Sequence, residues 1–101
     1  MQIDNIGSAI ATREFSIEGR PGEKVVVTLG KPEKDEESIG YYCPFKLSVA
    51  GSDRLKYAKG LDAFQAIQGA LSLIAVDLEF LNAKLEQKLR WEGDDSGGLG
   101  F

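Results

Sequence analysis

The stretch LDAFQAIQGALSLIAVDLEFLNAKLEQKL, residues 61–89, decides the fold of this chain of 101 residues. Its large apolar residues recur at alternating steps of three and four, which places them on one stripe of an α-helix. The stripe comprises Phe64, Ile67, Leu71, Ile74, Leu78, Leu81 and Leu85. Because the opposite face is mostly polar, we expect this stripe to be the buried face of one long amphipathic helix.

The residues at the start of this stretch are those that begin a helix. Asp62 can act as the N-cap by accepting hydrogen bonds from the first turn, and Gln65 stands where a capping box places its return bond. Gly60 allows a sharp turn just before the cap. The first half of the helix also carries four small residues, Ala63, Ala66, Gly69 and Ala70. Their small side chains favour tight packing of the helix on a sheet. A helix–helix dimer seam is the alternative.

Upstream of the helix, apolar and polar residues alternate as they do in β-strands. Residues 9–18 and 24–31 are separated by the turn residues Gly19 to Gly22 and predict a hairpin. Residues 41–49 predict a third strand, and residues 54–59 predict a fourth with Leu55 and Tyr57 facing inward. The third strand has a clearly apolar face, which carries Tyr41, Cys43, Phe45, Leu47 and Val49.

These elements predict an α+β fold with two layers, a four-stranded antiparallel meander packed on one long C-terminal helix. We expect a single domain over residues 1–101, with a frayed start at 1–8, the sheet at 9–59, the helix at 61–89 and a tail at 90–101. The charged segment KPEKDEES, residues 31–38, cannot bury apolar area and is expected to be a solvated, mobile loop. An acidic docking loop is the alternative for this segment.

The chemistry available to the chain argues against catalysis. There is no histidine, which removes the commonest general base at neutral pH and the commonest zinc ligand. Cys43 lies on the inward face of a predicted strand, so we expect a small buried group rather than a nucleophile. No glycine-rich phosphate loop occurs. We therefore predict no enzyme activity, no cofactor and no metal.

The net charge and the N-terminal sequence limit the kinds of partner that we expect for this chain. A net charge of −4 and a pI near 4.8 argue against nucleic-acid binding. We find no apolar run long enough to span a membrane and no secretory pattern at the start. The single cysteine fits a reducing compartment. We expect a soluble, cytoplasmic protein that does not bind membranes.

The tail RWEGDDSGGLGF, residues 90–101, is rich in glycine and acid yet contains large apolar residues. Disordered segments gain little from such residues, so we expect Trp91, Leu99 and Phe101 to anchor the tail on its own domain or on a partner. With Tyr42, Asp94 and Asp95 they form the set of candidate binding residues. The acids do not follow the spacing of a calcium loop.

Three motifs of the C-terminal half, GLDAFQA at 60–66, LRWEGD at 89–94 and GLGF at 98–101, carry a family resemblance. The chain resembles a family of small uncharacterised bacterial domains with a D-x-F-Q-A helix start and a C-terminal Trp…Gly-Phe tail. The resemblance implies a bacterial or phage origin and no particular activity. In that family the chain often runs past Gly-Phe, which implies a native end beyond Phe101.

Three functions remain open at this point. The leading hypothesis is a non-catalytic protein-binding module of the immunity or inhibitor type, which occupies the site of a toxin or defence enzyme. A structural homodimer, joined through a sheet edge or the small-residue side of the helix, is the first alternative. The second is a small-ligand domain with a cavity between sheet and helix, lined by Tyr41, Tyr42, Tyr57 and Trp91.

Overall fold

The computed structural model describes residues 1–92 and 96–101. One antiparallel sheet and one long helix make up this part of the chain, which confirms the predicted α+β class. The described part contains six strands rather than four. The elements are β1 (Ala9–Ile17), β2 (Lys24–Gly30), β3 (Glu33–Lys34), β4 (Tyr41–Val49), β5 (Ser52–Gly60), α1 (Ala63–Lys84) and β6 (Leu89–Arg90).

The four long strands form the predicted meander. β1 pairs with β2, β2 with β4, and β4 with β5. The two additional strands are two residues long: β3 pairs with the start of β4, and β6 pairs with Ser16 and Ile17 of β1. Pairs this short carry no periodicity of their own, so the alternation of apolar residues could not reveal them.

The register of β5 corrects the predicted orientation of its side chains. Cys43 lies opposite Ala58 and Pro44 opposite Tyr57, so Lys56 and Ala58 face the helix, while Leu55 and Tyr57 lie on the outer face. Antiparallel partners share a face, and the apolar face of β4 therefore sets which side of β5 is inward. The charge of Lys56 on this inward face is compensated by an ion pair with Asp77 of α1, 2.9 Å long.

Tyr57 can lie on the outer face of the sheet because residues 1–8 cover part of this face. Ile3 and Ile6 are half-buried, and the Tyr57 hydroxyl donates to the carbonyl oxygen of Met1 at 3.0 Å. A Cβ added to Gly30 would lie 2.5 Å from the Ile6 carbonyl oxygen and 2.7 Å from Cγ of Pro44. The predicted frayed start is thus packed along the sheet.

The buried side of α1 is displaced from the predicted stripe. The buried residues recur every four positions: Ala66, Ala70, Ile74, Leu78 and Asn82. Phe64 and Leu71, which we assigned to the core, are 79% and 39% exposed. A row of i, i+4 steps is inclined to the helix axis, so the line of contact with the sheet runs obliquely along α1. In the first half of the helix the contact is therefore made by Ala66 and Ala70, and not by the large residues of the predicted stripe.

The close approach at the alanines explains the small residues of α1. A Cβ on Gly69 would lie 3.1 Å from the Cβ of Ala58, so this side of the helix rests on β5. The contact supports tight helix-on-sheet packing. The buried small residues of α1, Ala66 and Ala70, thus serve the packing of helix on sheet, while the homodimer stays a prediction.

The helix ends at Lys84, earlier than predicted. Leu85 caps it, and Glu86 and Gln87 adopt positive φ angles of 56° and 63° that reverse the chain. Asn82, a polar residue in the buried row, accepts a 3.0 Å hydrogen bond from the backbone N–H of Leu89 through Oδ1. This bond guides the chain back to the edge of β1, where β6 forms.

By length and composition alone, α1 would pass as a membrane-spanning helix. This corrects the expectation that no apolar run was long enough. The core helix of a soluble protein passes the same test, and α1 packs on the sheet through its buried row.

Candidate functional site

Three of the predicted binding residues meet around the guanidinium group of Arg13. The Cζ atom of Arg13 lies 4.1 Å from the ring centroid of Trp91 and 4.9 Å from that of Phe101. Its Nη1 donates hydrogen bonds to the carbonyl oxygens of Gly100 at 3.0 Å and Leu99 at 3.4 Å. We call Arg13, Trp91, Leu99 and Phe101 the tail cluster.

The tail cluster docks the tail on its own domain. α1 packs on β4 and β5, so the inner face of β1 is left for the tail, and Leu99 packs against the core there. Gly100 has a φ of +83°, and a Cβ on it would lie 2.8 Å from Cζ3 of Trp91. The close stacking of backbone on indole therefore needs a glycine at this position.

The remaining predicted residues are not part of this cluster. Tyr42 lies on the outer face of the sheet, where its ring makes an edge-to-face contact with Tyr57 at 6.3 Å between centroids. Tyr41 and Trp91 lie on the helix side, so the four aromatic residues proposed to line one ligand cavity are divided between two faces. Asp94 and Asp95 lie outside the described residues.

The groups that could carry chemistry are few in the part of the chain that the structure describes. No cluster of three His, Cys, Asp or Glu side chains there could hold a metal ion. Cys43 is buried and its thiol donates to the Gly30 carbonyl oxygen at 3.4 Å. Burial raises the pKa of the Cys43 thiol to about 11, so the nucleophilic thiolate is scarce at neutral pH.

The most exposed large apolar side chains lie elsewhere, at the end of the sheet where α1 begins. Ile39, Phe64 and Leu61 are 92%, 79% and 75% exposed. Tyr41 pairs with Gly60, so the segments that precede β4 and follow β5 leave the sheet side by side. We call Ile39, Leu61 and Phe64 the apolar tip.

A buried carboxylate shapes the loop that carries Ile39. Asp35, 4% exposed, accepts hydrogen bonds from the Ser38 hydroxyl at 2.7 Å and the Glu37 N–H at 2.9 Å. Lys59 of β5 forms an ion pair with it at 3.2 Å. These bonds, that from Ser38 first, lower the pKa of Asp35 to about 2. The segment that we predicted to be a solvated, mobile loop thus contains β3 and this bonded turn.

The start of α1 fixes the other half of the tip. Asp62 is the N-cap, as predicted, and its Oδ1 accepts from the Gln65 N–H at 2.8 Å. The side-chain Oε1 of Gln65 in turn accepts a hydrogen bond of 2.6 Å from the Leu61 N–H. Gly40 has a φ of +119°, and a Cβ atom added to it would lie only 2.5 Å from the Gly60 carbonyl oxygen, so no larger residue fits there. Hydrogen bonds therefore order both backbone segments of the apolar tip, the turn before β4 and the start of α1.

Sequence reasoning missed the apolar tip. Phe64 was counted in the buried stripe, and Ile39 and Leu61 were passed over. The available signal was position: Ile39 is an isolated isoleucine after a run of charges, and Leu61 precedes the N-cap. A large apolar residue in a polar turn is informative where neighbouring elements bring others beside it.

We predict that the Asp35 turn makes stability depend on acid pH. Since the pKa of Asp35 is lowered in the folded chain, its contribution is complete above the ordinary value of 3.8 and is lost as pH falls toward about 2. Asp35→Asn should therefore be less stable than wild type at neutral pH, and the difference should shrink on acidification.

Urea unfolding at several pH values checks this prediction. Glu23→Gln, at an exposed carboxylate of the β1–β2 turn, is the control and should follow the wild-type curve. A difference between wild type and Asp35→Asn that stays constant across this pH range would contradict the proposed role of the carboxylate.

Residues 11–101 match a protein family described as a domain of unknown function (DUF6968). No curated protein and no solved structure matches the chain. The family match covers most of the sequence and agrees with the resemblance to an uncharacterised domain family.

Proposed function

The chain belongs to DUF6968, a family of unknown function, and we propose from its surface that it is a non-catalytic protein-binding module. The proposed contact surface is the apolar tip. The observation that carries the proposal is that the three most exposed large apolar residues lie on neighbouring backbone segments, at the end of the sheet where Tyr41 pairs with Gly60. The Asp35 turn and the Asp62 cap order these segments.

Exposure of such residues costs free energy in the isolated protein, at roughly 25 cal/mol per Å² of apolar surface left in water. A partner that covers the tip recovers this energy. Because the backbone below is already ordered, little conformational entropy is lost when the partner binds. Few, large and preorganised contact residues are typical of the centres of protein interfaces.

The charges around the tip indicate the chemistry of the partner. Glu36 and Glu37 are exposed in the loop next to Ile39, and Asp62 lies between Leu61 and Phe64. Asp35 and Lys59 neutralise each other nearby. The net charge of the chain is −4. The proposed partner is therefore a protein with an apolar cleft bordered by lysine or arginine, and association should slow as salt rises.

An inhibitor or immunity protein of a bacterial toxin or defence enzyme is the specific form of this proposal. Such a protein acts by filling a cleft of its target, which suits a small acidic domain with a protruding apolar tip. The proposal places the complex in the bacterial or phage-infected cytoplasm. It assigns the tail cluster to stability rather than to the partner contact.

Photo-crosslinking tests the contact surface. A photoreactive amino acid at position 39 should capture one protein in cells of the source organism, whereas the same group at Arg20, at the opposite end of the sheet, should not. With the captured protein purified, replacing both Ile39 and Phe64 by serine should weaken binding by about 1000-fold, since two hot-spot residues contribute about 2 kcal/mol each. Titration calorimetry measures this loss.

Trp91→Ala is the matched comparison, since it removes an aromatic residue away from the tip. It should bind the purified partner with unchanged affinity under conditions where it is folded. Equal affinity of wild type and the double tip variant would overturn the proposal. Capture of a second copy of this chain, with a dimer in light scattering, would instead make the tip a self-association surface.

A further inference from the structure

A cavity of about 220 Å³ opens on the inner side of the sheet between the β4–β5 hairpin and the last turns of α1. We infer that this hairpin cavity binds a small amphipathic carboxylate, whose apolar body lies on the cavity floor and whose carboxylate lies between Arg54 and Lys84. The apolar tip is at the other end of β5, so this site is separate from the proposed protein contact.

The floor of the hairpin cavity is apolar. Leu47 is 7% exposed, Val49 and Leu81 are half-buried, and Phe80 forms a wall that is 63% exposed. Water on such a floor finds few hydrogen-bond partners, so its replacement by the apolar body of a ligand is favourable. A compact hydrophilic anion would leave this floor uncovered.

Two cations stand on opposite walls of the cavity. Arg54 is on the inward face of β5, opposite Leu47, and Lys84 belongs to the last turn of α1, with its ammonium 4.7 Å from the Phe80 ring centroid. Within the described residues, neither cation has an ion-pair partner. In an acidic chain, this pair is a local positive site beside an apolar surface.

The negative groups nearby are already occupied. Asp77, the acid that lines the cavity, accepts hydrogen bonds from Lys56 on both carboxylate oxygens, at 3.1 and 2.9 Å. The carbonyls of the last helical turn, those of Leu81 to Ala83, accept backbone N–H groups of residues 85–87. A guanidinium and an ammonium across an apolar floor are complementary to one carboxylate on a hydrocarbon body.

Titration of the ¹⁵N-labelled protein with octanoate, followed by NMR, tests this inference. Octanoate should shift amide signals of Val49, Ser52 and Leu81. Arg54→Gln and Lys84→Gln should each weaken binding by about tenfold through loss of a charged hydrogen bond. Lys31→Gln removes an exposed cation at the other end of β2 and should leave binding unchanged.

Two further probes separate charge recognition from simple adsorption. Octylammonium and inorganic phosphate should each bind at least about tenfold more weakly than octanoate. Equal binding of octylammonium and octanoate, or octanoate shifts confined to residues outside the cavity, would overturn the inference. Phe64→Ser should bind octanoate as wild type does, so failure of the tip proposal would not affect this result.

Discussion

Leu89→Ala should lower the free energy of unfolding by about 4 kcal/mol, the loss expected for a leucine truncated at a fully buried site. Leu89 is 0% exposed although it lies in a strand of two residues. Its side chain belongs to the core, it pairs with Ile17, and its N–H donates to Oδ1 of Asn82. It therefore joins the end of α1, the edge of β1 and the start of the tail.

Chemical denaturation followed by circular dichroism measures this effect, and hydrogen exchange locates it. Leu73→Ala is the matched control, because Leu73 is 42% exposed on α1 and should cost well under half as much. Amide exchange in Leu89→Ala should rise most at Glu18, whose N–H donates to the Lys88 carbonyl oxygen at 2.8 Å. A loss below about 1 kcal/mol would mean that the core relaxes around the truncation.

Trp91→Ala should lower the free energy of unfolding by about 3 kcal/mol, through lost burial of the indole and loss of its contact with Arg13. The indole is half-buried and lies beneath the Arg13 guanidinium. Truncation also leaves the backbone at Gly100 without the surface on which it rests. The tail should then detach while the sheet and α1 stay folded at low temperature.

Thermal unfolding provides the first readout for Trp91→Ala, with Phe80→Ala as control. Phe80 is also an aromatic residue beside a cation, but it is 63% exposed on α1. Arg13→Gln gives a second readout, because Trp91 is the only tryptophan and its emission should shift to the red as the tail detaches. Unchanged melting of Trp91→Ala would show that the indole is available to a partner instead.

Periodicity explains why the main elements were predictable. Apolar residues with a period of two marked the long strands, and the three–four spacing with Asp62 and Gln65 marked the helix and its start. These signals depend on residues close together in the chain. The strands β3 and β6 and the end of α1 lacked such signals, since they exist through pairing with distant residues such as Tyr41 and Ser16.

The candidate surfaces were less predictable than the fold. The aromatic content of the tail indicated docking, but not where on the domain the tail docks. Strand alternation places Arg13 on the same face as Phe15, yet nothing in the sequence indicates that its charged side chain contacts the tail. The apolar tip required knowledge that Ile39 and Leu61 leave the sheet side by side. The hairpin cavity likewise depends on Arg54 and Lys84, which are thirty positions apart in the chain.

By itself, the sequence determined the kind and order of the long elements, the N-cap of the helix and the apolar face of β4, because local periodicity and capping chemistry specify them. The tertiary structure decided which apolar residues stay in water. α1 crosses the sheet along a row of i, i+4 contacts, so Ala66 and Ala70 are buried and Phe64 is exposed. That outcome depends on the angle between two packed elements, which no short stretch of sequence specifies.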